Sequence, residues 1–283
     1  VQRNKRLLPK EDPEVSQMVL ESFQKDGINV LLQHTPKKFF KREGKDFLEC
    51  EHNGSSVEIP FDTLLVALGR KANTTGFGLE ELGVELSPRG KIQVDETMRT
   101  NIPNIYACGD VAGPYQFTHI AAHQAWYCAV NSMISPFWGF KVDYSTVPWS
   151  TFTDPEVARS GLNELEAKEQ GIPYEVTTYG IDDLDRAIAD EAAYGTVKVL
   201  TMPGKDKILG VTIAGLHAGD IIAEYIAAMK HGFGMNKILG TIHIYPTLAE
   251  SNKFAAGNWK KNNVTEKTLA WGERINRWRR DYF

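Results

Sequence analysis

Residues 100–122 read TNIPNIYACGDVAGPYQFTHIAA, and this stretch joins a strand, a carboxylate and the start of a helix. Ile105–Ala107 is predicted to be a short buried strand, and Gly109-Asp110 its turn. An apolar helix is predicted to begin at residue 118 or 119 and to run to about 133. Because ligands of open α/β sheets bind at the carboxyl ends of the strands, we expect the Asp110 carboxylate to accept hydrogen bonds from sugar hydroxyls. The alternative is an aspartate in an ordinary turn.

The string TNIPNIYACGD, followed by VAG and a helix, resembles the second flavin-binding motif of the pyridine nucleotide-disulfide oxidoreductases. The resemblance implies that Asp110 binds the ribityl chain of FAD. It also implies that the start of the helix faces the pyrimidine edge of the isoalloxazine and stabilises negative charge there. The cofactor-binding residues implied in this segment are Gly109, Asp110, Phe117, Thr118, His119 and Ala121.

The composition is that of an ordinary soluble chain of about two domains, with 283 residues, 42% hydrophobic and 24% charged. A net charge of −4 gives no case for nucleic-acid binding. No apolar run approaches the ~18 residues of a membrane span. The cysteines, Cys50, Cys108 and Cys128, lack metal-ligand spacing, so no metal site is predicted and a reduced, cytoplasmic setting is expected.

The resemblance extends along the chain in order, and it predicts a mixed α/β and α+β fold. Partial Rossmann-type NAD(P) and FAD domains are followed by an antiparallel-sheet dimerisation domain. The expected boundaries are 1–68 for the NAD(P) remnant, 69–143 for the FAD segment and 144–283 for the dimerisation domain. The two GxGxxG fingerprints and the redox-active disulfide of the family are expected before Val1. We therefore expect a carboxyl-terminal part that is inactive alone and lacks bound FAD and NAD(P).

The amino-terminal residues bear on the choice between NADP and NAD. Gln2 stands where NAD-specific members of the family carry an acid that binds the adenosine ribose. The basic residues Arg3, Lys5 and Arg6 follow it and suit a 2′-phosphate, which favours NADP. The alternative is an exposed basic turn.

Sequence patterns predict the elements of the first 68 residues. A helix is expected from Asp12 or Pro13 to Gly27, followed by a strand at 28–32 and a three-stranded meander at 37–59. Because this helix lacks its usual partner strands, disorder or a swapped contact is predicted for residues 1–60. Thr63–Leu68 is predicted to be a continuous, buried strand, followed by Arg70 as a cofactor ligand or a domain-joining ion pair.

The last domain is predicted from alternating strands and apolar-faced helices. A hairpin is expected around Pro203-Gly204, with strands at 195–200 and 208–214. Leu269, Trp271, Ile275 and Trp278 define a basic amphipathic helix near the end of the chain, which docks on the dimer or touches an acidic membrane surface. The resemblance to the family's dimerisation domain implies a homodimer.

Residues 241–250, TIHIYPTLAE, resemble the H-x-H-P-T-x-x-E segment that one subunit of this family inserts into the active site of the other. The chain departs from that pattern because Tyr245 occupies the position of the acid/base histidine, while Glu250 is present. A phenol with a pKa near 10 is a poor base at neutral pH. Tyr245 is therefore a candidate hydrogen-bond donor and His243 the candidate substitute for acid/base work, with a core or interface histidine as the alternative. A cis peptide bond is expected at Tyr245-Pro246.

The resemblance implies a homodimeric, FAD-dependent oxidoreductase that passes a hydride from NAD(P)H to flavin and then, through a dithiol, to a small-molecule or disulfide acceptor. A mercuric reductase-like or lipoamide dehydrogenase-like flavoprotein is expected, although no cysteine follows Cys128 to receive a metal ion. The alternative is a non-catalytic dimerisation module derived from the same family.

Overall fold

The computed structural model describes residues 1–282, which form two compact units. One unit comprises Val1–Thr63 and the residues from Thr146 onward, and the other comprises Leu64–Ser145. The helices are α1 (Pro13–Lys25), α2 (Thr118–Ile134), α3 (Glu164–Glu169), α4 (Asp185–Ala189), α5 (Ala218–Ile221), α6 (Ala223–Lys230), α7 (Met235–Leu239), α8 (Glu250–Asn262) and α9 (Glu266–Tyr282). The strands are β1 (Thr35–Arg42), β2 (Lys45–His52), β3 (Ser55–Phe61), β4 (Pro148–Thr151), β5 (Glu156–Gly161), β6 (Glu175–Gly180), β7 (Thr196–Thr201) and β8 (Ile208–Gly215).

A five-stranded antiparallel sheet in the order β4-β5-β8-β7-β6 forms the centre of the first unit. The predicted hairpin is confirmed as β7 and β8, with Val199 opposite Val211. β5 was not predicted because its sequence EVARSG mixes charged and small residues. Its Arg159 is nevertheless 1% exposed, since ion pairs to Glu11 and Glu166 compensate its charge.

The predicted helix α1 is confirmed, and it packs against the five-stranded sheet. Val15 and Val19 on its apolar face form a buried cluster with Val157 of β5 and Ala214 of β8. The disorder expected for residues 1–60 is not found, because this sheet supplies the apolar contact that the helix needs. The predicted meander is also confirmed as the antiparallel sheet β1-β2-β3.

A buried lysine links α1 to the sheet by charge. Lys198 of β7 is 3% exposed, and its Nζ lies 2.8 Å from Asp12 Oδ2 and 2.6 Å from Glu164 Oε1. Glu14 forms a third ion pair with the same ammonium group. Burial lowers the pKa of Lys198, but the hydrogen bonds to these carboxylates outweigh burial and raise it.

Two strands predicted from apolar runs are corrected by the structure. Ile28–Leu32 forms only a single parallel bridge, between Gln2 and Leu32. Thr63–Leu68 is an extended loop rather than a buried strand, with Leu65 88% and Leu68 82% exposed. A buried strand needs hydrogen-bonded neighbours, and no residue that the structure describes pairs with this segment in a ladder.

The second unit contains α2 and a set of short bridged segments. The predicted strand Ile105–Ala107 is reduced to an antiparallel bridge between Arg99 and Tyr106. A small apolar cluster that includes Val84, Ile92 and Ala107 lies in this unit.

The basic amphipathic helix predicted near the end of the chain is confirmed as α9. Leu269 is 60%, Trp271 67% and Trp278 54% exposed. Among the described residues, no helix has the length and apolar character needed to cross a membrane.

Candidate functional site

The Gly109-Asp110 turn is a single turn of 3-10 helix that requires glycine at its first position. Gly109 has φ +78°, in the left-handed region. A Cβ atom built on it would also lie 3.2 Å from the Cβ of Ala121, on the first turn of α2. The turn and the helix therefore approach each other as closely as a glycine allows.

A buried glutamine joins the turn to α2. Gln124 is 0% exposed, and its Oε1 accepts the Gly109 N–H at 2.6 Å. Its Nε2 donates to the Gly113 carbonyl at 2.7 Å and to the Tyr144 hydroxyl at 2.6 Å. Sequence reasoning missed this residue; the available signal was a polar side chain one turn after Ile120 in a helix predicted to be apolar.

The Asp110 carboxylate lies at the edge of this turn with its side chain 36% exposed. Its ion partner is Arg70, whose Nη1 is 3.6 Å from Asp110 Oδ2 and whose side chain is 82% exposed. An ion pair this exposed contributes little stability, ~0–1 kcal/mol. Asp110 therefore keeps acceptor capacity for hydroxyl groups, and Arg70 lies at the same edge.

α2 begins at Thr118, as predicted, with Phe117 as its N-cap. The first turn of a helix has N–H groups without acceptors inside the helix, and Phe117 supplies no side-chain acceptor for them. The Phe117 ring stacks on His119 at a centroid distance of 5.3 Å. Thr118 and His119 are exposed, while Ala121 lies beside Gly109. A helix start without a side-chain cap, next to an accessible carboxylate, fits a ligand with a polarised carbonyl edge and a hydroxylated chain, as FAD has.

The amino-terminal basic residues lie in the other unit. Arg3 is exposed, and Arg6 is half-buried with its Nε atom buried and without a hydrogen-bond partner among the described residues. The side chain of Gln2 accepts the Asn4 N–H at 3.1 Å. Within residues 1–282, neither Arg3 nor Arg6 forms an ion pair with a carboxylate.

Tyr245 lies on an exposed segment before α8, and its side chain reaches α4. It is 67% exposed, and its hydroxyl donates to Asp185 Oδ2 at 2.8 Å. This hydrogen bond raises the pKa of Tyr245 above its usual value. The phenol is therefore protonated at neutral pH and suits donation rather than proton abstraction. The peptide bond between Tyr245 and Pro246 is cis, as predicted.

His243 occupies a different environment from Tyr245, because its side chain is only 6% exposed. Its Nε2 lies 3.0 Å from Glu224 Oε2, and its Nδ1 lies 3.1 Å from the Thr241 carbonyl. Asn252 Nδ2 donates to the same Glu224 oxygen at 2.9 Å. Both ring nitrogens thus have partners, and Glu224 and Asn252 were not anticipated from the sequence.

Glu250 begins α8 and is 9% exposed. Its Oε2 accepts the Thr247 N–H at 3.1 Å, as a carboxylate near a helix start commonly does. Among the described residues, Glu250 forms no hydrogen bond with Tyr245 or His243. The structure therefore brings Tyr245 to Asp185 and His243 to Glu224, while Glu250 hydrogen-bonds to the Thr247 N–H.

One group of three carboxylates has the spacing of a metal site within the described part of the chain: Asp12, Glu14 and Glu164. The Lys198 ammonium group lies among them and bonds to each. A lysine in this position already compensates the negative charge, so the cluster is an ion-pair network.

Comparison with known proteins identifies the family. Residues 1–125 match the pyridine nucleotide-disulphide oxidoreductase family, and residues 147–256 match its dimerisation domain. The chain belongs to the pyridine nucleotide-disulfide oxidoreductases. The first match includes the Gly109-Asp110 turn, and the second includes the five-stranded antiparallel sheet and the Tyr245 segment. The expected fold class is thereby confirmed.

Relatives within this family include two kinds of enzyme. The chain is 35% identical over 252 residues to a dihydrolipoyl dehydrogenase of Chlamydia muridarum, covering 88% of this chain and 52% of the relative. It is 32% identical over 265 residues to a mercuric reductase of Staphylococcus aureus, covering 93% of this chain and 48% of the relative. The chain thus spans about half the length of the curated relatives that it matches.

A solved structure also resembles this pyridine nucleotide-disulfide oxidoreductase chain. The HOCl-induced flavoprotein disulfide reductase RclA from Escherichia coli superimposes with a TM-score of 0.82 at 25% identity. The match covers 90% of this chain and 57% of that protein.

Proposed function

We propose that this chain is the carboxyl-terminal part of an FAD-dependent NAD(P)H oxidoreductase of the mercuric reductase-like type. The observation that carries the proposal is the accessible Asp110 carboxylate beside the start of α2, which has no side-chain cap. In this reading residues 1–68 are a remnant of the NAD(P)-binding domain and 69–143 a segment of the FAD-binding domain. Residues 144–283 are the dimerisation domain.

The residues of the second unit bind and orient the flavin. Asp110 accepts hydrogen bonds from the hydroxyl groups of the ribityl chain. The N-terminus of α2 would stabilise negative charge on the bound flavin, and Gln124 holds the intervening turn against the helix. When bound, FAD supplies acceptance and donation of a hydride. Gly109 and Ala121 form the close backbone contact that keeps Asp110 at this edge.

A homodimer is proposed for the first unit. The segment before α8 exposes two large apolar side chains, with Ile242 94% and Ile244 78% exposed. Removing such surface from water is favourable, at roughly 25 cal/mol per Å². Contact of this segment with a second copy would bury Ile242 and Ile244 and present Tyr245 to the partner's active site.

At that site, Tyr245 is proposed to donate a hydrogen bond to a small-molecule or disulfide acceptor. Its raised pKa keeps the phenol protonated at neutral pH, and Asp185 holds the hydroxyl in place when no acceptor is bound. The hydrogen bond between His243 and Glu224, whose Oε2 also accepts from Asn252, favours a positioning role for this histidine, which supports the backbone just before Tyr245. Glu250 supports the other side of the segment through Thr247.

The nicotinamide nucleotide is proposed to be NADPH. The exposed Arg3, Lys5 and the half-buried Arg6 support this choice, since guanidinium groups suit a 2′-phosphate. An exposed basic turn without nucleotide contact is the competing interpretation.

The test is the absorbance of the protein produced from the whole gene between about 350 and 500 nm, where oxidised flavins absorb, with and without NADPH or NADH. We expect flavin bands that bleach with NADPH. Asp110→Asn should weaken FAD retention ~10-fold, the equivalent of one hydrogen bond of about 1.4 kcal/mol. The matched control, Glu81→Gln, changes an exposed carboxylate of the same unit and should leave FAD retention unchanged.

A colourless protein that fails to take up added FAD would overturn the enzyme proposal. It would leave the non-catalytic dimerisation module as the better reading. Bleaching by NADH alone would keep the oxidoreductase and reject the assignment of NADPH.

A further inference from the structure

Two of the chain's cysteines lie together at the Gly109-Asp110 turn. Cys108 directly precedes this turn, and Cys128 lies on α2. Their side chains lie close enough to interact. The third cysteine, Cys50, is 0% exposed in β2 of the other unit.

The backbone explains why the two thiols meet. Gln124 and Cys128 are four residues apart on α2, so they lie on the same face of the helix. Gln124 binds the N–H of Gly109, the residue that follows Cys108. One turn further along the same face, Cys128 therefore reaches Cys108, and the hydrogen bonds of Gln124 hold both segments in register.

Both thiols are partly accessible. Cys108 and Cys128 are of intermediate exposure, whereas Cys50 is fully buried. A small oxidant therefore has a route to the pair that it lacks to Cys50. Oxidation of a cysteine is favoured where it is accessible and where a second thiol stands close enough to resolve the product.

We propose that Cys108 and Cys128 form an oxidisable dithiol, which a peroxide converts into an intramolecular disulfide that ties the Gly109-Asp110 turn to α2. The thiolate of Cys108 attacks the O–O bond of hydrogen peroxide and becomes a sulfenic acid, while the leaving hydroxide takes up a proton and departs as water. The sulfur of Cys128 then attacks the sulfenic sulfur. The S–O bond breaks, the Cys128 proton goes to the departing hydroxide, and a second water is released. In total, two thiols are oxidised and one peroxide is reduced to two waters.

The two steps differ in the proton that each sulfur must lose. Burial and the adjacent Cys108 raise the pKa of Cys128. Cys128 is therefore assigned the second attack, in which its proton passes to the departing hydroxide. The first attack is assigned to Cys108, whose position at the turn is set by the Gly109 N–H bond to Gln124.

The test treats the chain with hydrogen peroxide, denatures it, and counts free thiols with a chromogenic disulfide reagent. Of its three cysteines, the chain should retain one free thiol, Cys50. Peptide mass spectrometry should find a Cys108–Cys128 cross-link that is lighter than the two thiol peptides by two hydrogens, and dithiothreitol should restore all thiols. The matched control Cys50→Ser should lose both of its thiols, and Cys128→Ser should form no internal cross-link.

The proposal is overturned if all three thiols of the unsubstituted chain still titrate after peroxide treatment. It is also overturned if the only disulfides found join separate chains or involve Cys50. Because mass spectrometry of the unsubstituted chain decides between these outcomes, the result does not depend on the folding of any variant. It is also independent of whether the protein binds flavin.

Discussion

Replacing Lys198 with methionine tests the charge network that attaches α1 to the five-stranded sheet. The substitution keeps an unbranched side chain of similar length and removes the ammonium group. Asp12, only 1% exposed, then loses its ion partner in the buried interior. Removing one member of a buried ion pair typically costs about 3–5 kcal/mol, because the other charge is left without compensation.

The contacts of the individual carboxylates place Lys198→Met at the lower end of this range. Asp12 keeps hydrogen bonds from the N–H groups of Glu164 and Leu165, both at 3.2 Å, so its charge remains partly compensated. Hydrogen bonds from Lys198, which has the largest effect, and from Tyr174 and Lys168 together lower the pKa of Glu164 from 4.5 to about 2. Full conversion of that shift gives about 3 kcal/mol, and the exposure of Glu164 reduces it to ~1–2 kcal/mol. We therefore expect Lys198→Met to lower the free energy of unfolding by about 3 kcal/mol at pH 7.

The measurement is urea unfolding followed by tryptophan fluorescence. For a urea dependence of about 2–3 kcal/mol per molar, the midpoint should fall by ~1 M. The matched control is Lys205→Met, which removes an exposed lysine just after β7 and should change the free energy of unfolding by less than about 0.5 kcal/mol. Equal midpoints for Lys198→Met and Lys205→Met at pH 7 would refute the reasoning.

The pH dependence of this difference has a definite sign. The pKa of Glu164 is lower in the folded state than in the unfolded state. Its contribution to the free energy of unfolding is therefore present above pH 4.5 and is lost as the pH falls from 4.5 to about 2. The difference in the free energy of unfolding between the unsubstituted chain and Lys198→Met should therefore be constant between pH 5 and pH 8 and should decrease at lower pH. A gap that widens on acidification would contradict the assignment.

Three further predictions concern the candidate sites. Gln124→Leu leaves the Gly109 N–H without its buried acceptor and should lower the free energy of unfolding in urea by about 1–3 kcal/mol. The protein from the whole gene should also retain FAD more weakly. An unchanged free energy of unfolding would show that the hydrogen bonds of Gln124 are dispensable. Gly109→Ala should lower the free energy of unfolding by ~1 kcal/mol more than the control Gly83→Ala does, since both have a positive φ but only the first places a Cβ 3.2 Å from Ala121. Equal losses in thermal unfolding would show that the approach to Ala121 does not matter for stability. Tyr245→Phe should lower turnover of the acceptor ~10-fold or more with intact flavin reduction by NADPH, and equal turnover in steady-state assays would rule out its donor role.

Much of the secondary structure was predictable because it depends on short-range patterns. α1 follows from the Asp12-Pro13 start, the Gly27 stop and its apolar spacing, and α2 follows from its apolar run. The β7–β8 hairpin follows from the strand-like runs on both sides of Pro203-Gly204. The strand at 63–68 was predicted wrongly for the converse reason. Its apolar run matches a buried strand, but a strand is formed by pairing with neighbours, and none pairs with it within residues 1–282.

The candidate site was predictable only in part. The order of Gly109, Asp110 and the helix start is local, so the motif identified the turn from the sequence. The side chains that hold each site in place come from distant positions: Glu224 for His243, and Asp185 for Tyr245. No spacing rule connects such residues, since a loop of any sequence can separate them.

The sequence by itself determined the family, the turn that carries Asp110 and the presence of Tyr245 directly before Pro246. Only the tertiary structure decided that Lys198 lies among carboxylates up to 186 positions away and that Cys128 meets Cys108. The physical reason is the cost of burial: a charged or polar group removed from water must find a partner, and that partner is whichever group the packing of distant segments brings within a few ångströms.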